Sequence, residues 1–170
     1  MSLLACKDKG HGPGAPPPAL IVMNSKSAPS AVADFKGKNT LKGTVNLDGT
    51  LPAGTRVMLA LKMVGTAGAG FRTLDDGGDC TTTVDLTAAT SSIPFEINEL
   101  IEGTYRLKML AFVDLKARLK DPQKRLLGKD DYAGVYTGAD AATPDFKQAK
   151  PIEVKGEKPV EVSFRIGKIQ

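Results

Sequence analysis

Ile93-Pro-Phe-Glu-Ile-Asn-Glu-Leu-Ile-Glu-Gly-Thr-Tyr-Arg-Leu-Lys-Met-Leu-Ala-Phe-Val113 is the stretch whose reading decides the fold. Phe95 and Ile97 alternate with Glu96 and Asn98, and Tyr105, Leu107 and Met109 alternate with Arg106 and Lys108. Successive side chains of a strand point to opposite faces, so a period of two marks sheet with one buried face. Glu102-Gly103 between the two runs predicts a tight turn joining two strands of an antiparallel sheet.

The same pattern extends in both directions. From Asn39 onward, turn signals recur roughly every ten residues, the spacing of all-β domains. Leu41 to Leu47 reads as a strand closed by Asp48-Gly49, a tight-turn dipeptide. Pro52-Ala53-Gly54 leads into Thr55 to Val64, where Val57, Leu59, Leu61 and Met63 share one face; Met58 and Ala60 opposite them predict a strand covered on both sides. Gly65 to Gly78 reads as a long loop or irregular edge, and Thr81 to Leu86 as a β-branched strand. Near the end, Ile152 and Val154 precede Gly156-Glu157, after which Val160, Val162, Phe164 and Ile166 alternate with Glu161, Ser163 and Arg165. Leu115 to Lys120 predicts at most one helical turn. The expectation is an all-β fold: an antiparallel β-sandwich of about seven strands whose inner faces consume the apolar stripes.

The chain has 170 residues, 41% hydrophobic and 25% charged, enough for one domain with a real core. Its formal charge is +4, but the 23 Lys and Arg are interleaved with 19 Asp and Glu rather than blocked. A nucleic-acid binder needs a basic stripe with aromatics to stack on bases, and here the aromatics occupy core-like strand positions, so no nucleic-acid partner is expected. No apolar run is long enough to span a membrane. Cys6 and Cys80 fit no metal spacing, and His11 sits alone in a Gly/Pro stretch. The two cysteines could pair, both stay reduced, or Cys6 be modified and Cys80 left alone.

Residues 1–38 are rich in Gly, Pro, Ala, Ser and Lys, including Gly12-Pro13-Gly14-Ala15-Pro16-Pro17-Pro18. Such a composition buries too little apolar surface to offset its ordering entropy, so a flexible, disordered tether is expected before a domain at 39–170. Within it, Leu20-Ile21-Val22-Met23 could add a strand or dock on the domain. Leu3-Leu4-Ala5-Cys6 resembles the lipobox of bacterial lipoproteins, whose Cys is lipidated and becomes the mature N-terminus. That resemblance implies lipidation at Cys6, a membrane partner reached through the lipid anchor, and a place in the bacterial cell envelope facing the periplasm or cell surface. The charged start and long apolar region of a signal peptide do not precede Leu3, and Met1-Ser2-Leu3 reads as what remains after such a signal was removed.

Gly43-x-Val45, then Pro52-x-Gly54-x-x-Val57, then Phe95-x-Ile97 with Glu102-Gly103-Thr104-Tyr105, and a closing Val-x-Val-x-Phe together resemble the transthyretin-like (prealbumin-like) sandwich. More narrowly the pattern is similar to carboxypeptidase regulatory-like and collagen-adhesin B-type modules, over about 39–166. The resemblance implies the fold; activity does not follow, since such folds host unrelated functions.

In bacterial members of that group, the loop after an "Ala-Phe-x-Asp" strand end looks calcium-binding. Here Ala111-Phe112-Val113-Asp114 is followed by Gly128-Lys129-Asp130-Asp131-Tyr132. The metal candidates are Asp114, Asp121, Asp130 and Asp131. Calcium takes about six to eight hard oxygens, many of them carboxylate. Lys116 and Arg118 stand at the alternate positions after Asp114, where cations repel a divalent ion and pair with acids instead. The competing expectation is a basic, solvated loop whose Asp residues cap turns. Asp75-Asp76-Gly77-Gly78-Asp79 reads as a turn more readily than as a metal site.

Catalytic constellations are sparser still. With His11 in the tether, Ser-His or Cys-His catalysis has no base in the domain. The transthyretin-like hydrolases rely on domain histidines that this chain lacks. Glu96, Glu99 and Glu102 are explained as exposed strand and turn residues, and Gly65-x-x-Gly68-x-Gly70 lacks the Lys-Ser/Thr of a phosphate cradle. Lys42 could donate to an adhesin-type crosslink, but 160–166 offers no Asn or Asp acceptor. The expectation is therefore a non-enzymatic envelope lipoprotein, a binding or structural accessory module without a cofactor, whose protein or glycan partner is not specified. The alternatives are a calcium-regulated adhesion module using the 114–131 loop and a carboxylate-based hydrolase.

Overall fold

Both strands read from 93–113 are present in the computed structural model of the chain, which describes residues 20–24, 37–64, 80–115 and 127–170. They are β5 (Thr90–Leu100) and β6 (Gly103–Phe112), and they do not pair with each other: between them the chain crosses from one half of the sheet to the other, so the turn joins strands that bond to different neighbours. A positive φ of 61° falls on Glu99, inside β5 and ahead of the turn. A Cβ at Gly103 would lie 2.5 Å from the Met63 Cε, the free end of a flexible side chain that would have to swing aside.

Nine strands form among the described residues. The others are β1 (Ile21–Asn24), β2 (Asn39–Leu51), β3 (Arg56–Val64), β4 (Cys80–Asp85), β7 (Tyr132–Val135), β8 (Ile152–Val154) and β9 (Val160–Lys168). The hydrogen-bonded order is β1-β5-β2-β9-β7-β6-β3-β4, with β8 added beside β6. One continuous sheet thus curls until its edge strands β1 and β4 approach each other, nearly closing into a barrel. The fold is all-β, as the alternation requires.

Three expectations change. Two separate antiparallel layers give way to a single nearly closed, mixed sheet, because β7 bonds to β9 and so joins the two halves. Two pairings are parallel, β1 with β5 and β2 with β9. The stretch 1–38 is not all tether either: β1 lies within it, in the sheet, with Ile21 and Met23 only 1% and 3% exposed. Of the helical turn expected at Leu115–Lys120, only Leu115 lies among the described residues. Strand β2 also runs past Asp48-Gly49 to Leu51, through a register shift against β5 that lets the turn signal act as an irregularity within the strand.

The core is built from the predicted stripes. Leu41, Val45, Val57, Leu59, Leu61, Ile93, Phe95, Ile97, Tyr105, Leu107, Met109, Phe164 and Ile166 are all buried. Phe95 and Phe164 meet edge to face at 6.4 Å between centroids. Burial of such side chains stabilises the fold by about 1.5–3 kcal/mol each. Tyr105 keeps its ring inside by donating its hydroxyl hydrogen to the Ile101 carbonyl at 2.8 Å.

A second, smaller packing layer lies on the outer side of the sheet. Residues 136–150 form a strap: the Val135 N–H donates to Thr143 O, and the Lys150 N–H to Tyr136 O. A single-turn 3-10 helix, Phe146–Gln148, starts where the Asp145 carboxylate accepts from the Lys147 N–H. Phe146 packs on Val135 and Ala149. Lys108, which points out of the core on β6, is covered by this strap and is 2% exposed, its ammonium 4.6 Å from the Phe146 ring centroid.

Candidate functional site: a polar groove under the strap

Strands β2 and β9 run parallel with Lys42 beside Glu161, Thr44 beside Ser163 and Asn46 beside Arg165. Phe164 and Ile166 alternate with these residues into the core, so the polar row faces outward. The beginning of the strap borders this row, leaving an open groove of about 350 Å3, lined by Asn46, Tyr136, Asp140, Glu161, Val162 and Ser163 among others.

The charges at the groove are paired with one another. The Arg165 guanidinium takes both Asp140 oxygens at 3.2 Å and reaches Asp48 at 3.0 Å, so it ties the strap to β2. Hydrogen bonding by Arg165, reinforced by its charge, holds the Asp140 carboxyl below the usual range; the same bonds to Asp140 and then Asp48 raise Arg165. Lys42 is raised chiefly by its hydrogen bond to Glu161, whose carboxylate lies 2.9 Å from the ammonium. By contrast, the Asn46 amide and the Tyr136 and Ser163 hydroxyls have no side-chain hydrogen bond among the described residues. The groove therefore offers neutral donors and acceptors beside ionic groups that bond to one another, with Arg165 shared between Asp48 and Asp140.

The residues singled out in the sequence lie elsewhere. Asp131 is fully buried; its carboxylate accepts from the Val113 N–H at 3.0 Å and the Gly128 N–H at 2.8 Å, closing both ends of the 114–127 excursion. Asp130 pairs with Lys168 at 2.9 Å. Asp114 sits in the turn after β6, and Asp121 lies outside the described residues. No group of three or more His, Cys, Asp or Glu among the described residues is arranged to hold a metal. Both Asp131 oxygens accept N–H groups, and Asp130 faces the Lys168 ammonium. Cys6, His11 and Asp75 to Asp79 also lie outside the described residues.

The carboxylates considered for hydrolysis have structural partners. Glu96 accepts from the Asn98 amide at 2.8 Å, and Glu102 from the Gly156 N–H at 2.9 Å. What sequence reasoning missed is the groove. Its β9 wall was legible as the outward alternation Glu161, Ser163, Arg165, but nothing local announces that 136–140 folds back beside it.

No family model matches this chain, and comparison with curated proteins and with solved structures finds no similar one.

Proposed function

We propose that this chain is a non-enzymatic binding module of a bacterial cell envelope, lipid-anchored through Cys6, which holds a hydroxyl-rich ligand of the saccharide type in the groove between β2, β9 and the strap. One observation carries the ligand class: Asn46, Tyr136 and Ser163 converge there with their polar groups uncommitted while the adjacent ions pair with each other. Sugar hydroxyls both donate and accept, so they suit neutral amide and hydroxyl partners, and a small number of placed polar groups is what fixes orientation in a binding cleft. The Cys6-and-tether order supports the anchor, and the lack of any His outside the tether supports a module without acid–base chemistry. The resemblance to transthyretin-like modules supports taking β1-β5-β2-β9 and β7-β6-β3-β4 as the two layers of a sandwich bridged at β7–β9.

Isothermal titration with a panel of neutral oligosaccharides tests the ligand class. The expected result is binding that weakens in both Asn46→Ala and Ser163→Ala, each by roughly two- to tenfold, since one neutral hydrogen bond contributes about 0.5–1.5 kcal/mol. Absence of binding at millimolar sugar, or binding indifferent to both changes, would overturn it. Mass spectrometry of the precursor produced in a bacterial envelope tests the anchor, which an unmodified Cys6 would remove.

A further inference from the structure

We infer that the seat of β1 on β5 is a docking site for an extended peptide of a partner protein, apolar at alternate positions and parallel to β5, and that residues 21–24 occupy it as a tethered stand-in. The inference is independent of the groove and its ligand. The present occupant defines what the seat receives. Ile21 lies beside Phe95 and Met23 beside Ile97, with all four side chains buried in one core, so the seat takes two apolar side chains at i and i+2. Backbone pairing along Phe95–Asn98 supplies the rest, the mode by which a sheet edge takes up an added strand.

The topology makes β1 removable. It is the last strand in the hydrogen-bonded order and pairs with β5 alone, so its departure breaks no other ladder. Strand β2 is anchored without it: the Gly37 N–H donates to Glu99 O at 3.1 Å and the Asn39 amide to Leu100 O at 3.0 Å. The connection also has length to spare. Asn24 stands beside Asn98 and Gly37 bonds to Glu99, so residues 25–36 join points at adjacent positions of β5. A segment of that length reaches about 40 Å when extended.

The outward side of β1 favours a foreign occupant. Leu20 and Val22 are each more than half exposed, and they are the exposed large hydrophobics of the described residues. Yet Val22 stands beside Glu96 and Asn24 beside Asn98, on a face that continues through Lys42. A strand matched to this seat on both sides alternates apolar with polar, and an apolar outer side on an edge strand is an unfilled contact.

The test uses the full chain and a fluorescent peptide of residues 19–25, read by anisotropy, with a control peptide carrying Ser in place of Ile21 and Met23. In the unaltered chain the peptide competes with β1, which its connection holds at roughly millimolar effective concentration, so binding should be weak. Ile21→Ser with Met23→Ser in the chain should tighten peptide binding by more than about tenfold, because the tethered competitor loses both buried side chains. The control peptide should bind neither protein, and the added peptide should slow amide exchange along Phe95–Asn98 of the variant. If the variant unfolds on its own, recovery of the far-UV spectrum of the unaltered chain on adding the peptide, and not the control, gives the same answer. No binding to a folded variant, no recovery of an unfolded one, or equal action of the control would overturn the inference. Dimerisation of the unaltered chain that the two substitutions abolish would overturn it as well, by making a second copy the occupant.

Discussion

Asp131 shows how a single side chain can look like a metal ligand in sequence and serve as a staple in the fold. Its carboxylate sits in the interior because it accepts the backbone N–H groups of Val113 and Gly128, which no strand partner satisfies with a carbonyl. Removing the acceptor leaves two N–H groups stranded, each costing about 1–3 kcal/mol when buried. Asp131→Ala should therefore lower unfolding free energy by about 2–4 kcal/mol in urea titration, and Asp131→Asn by less, because its amide oxygen still accepts one bond. Millimolar calcium should leave the melting temperature of the unaltered protein where it is. A rise would show metal bound to the native state, since any such ligand stabilises it by mass action.

At the scale of elements, β5, β6 and the last strand were legible because their buried and exposed residues alternate, whereas the pairing of β5 and β6 with other strands rather than with each other was not. Two short strands differ. Strand β1 was visible only as a possible addition, since Leu20-Ile21-Val22-Met23 is apolar throughout; its alternation emerges in the fold, where Ile21 and Met23 are buried and Val22 is 52% exposed. Strand β7 was not visible, because all four of its residues are buried and follow an Asp-rich turn, leaving no period to read. Yet β7 joins the halves of the sheet, and it lies so close to β9 that a Cβ on Gly134 would stand 2.6 Å from the Arg165 carbonyl oxygen. The groove was illegible for a different reason: it depends on contacts between segments far apart in the chain. Each short strand yields a test. Ile21→Ala should cost about 2–4 kcal/mol, as truncation of buried Ile does, whereas a residue in a solvated tether would show no change. Phe146→Leu, which removes the ring above the Lys108 ammonium, should cost about 1 kcal/mol and raise hydrogen exchange at Tyr136 and Lys150, whose N–H groups hold the ends of the strap.

For the molecule as a whole, the ion pairs form a belt that links elements distant in sequence: Lys42 to Glu161, Arg56 to Asp85, Arg165 to Asp48 and Asp140, Lys168 to Asp130. All are solvent-exposed, so each contributes little alone and their joint effect depends on pH and salt. The sign follows from the direction of each shift. Asp140 is held below its ordinary 3.8 by Arg165, so its contribution is complete above that value and disappears as the pH falls through the lowered one. Lys42 and Lys168 are held above their ordinary 10.5, chiefly by hydrogen bonds to Glu161 and Asp130; their contribution is complete below 10.5 and disappears as the pH rises through the raised values. The melting temperature should therefore be flat across the neutral range and fall at both ends. Arg165→Gln removes the partner of Asp140 and should flatten the acid limb selectively, with the alkaline limb unchanged. Thermal melts across pH, in low and in high salt, decide the matter: an acid limb identical in the two proteins would mean that Arg165 does not couple the strap to the sheet.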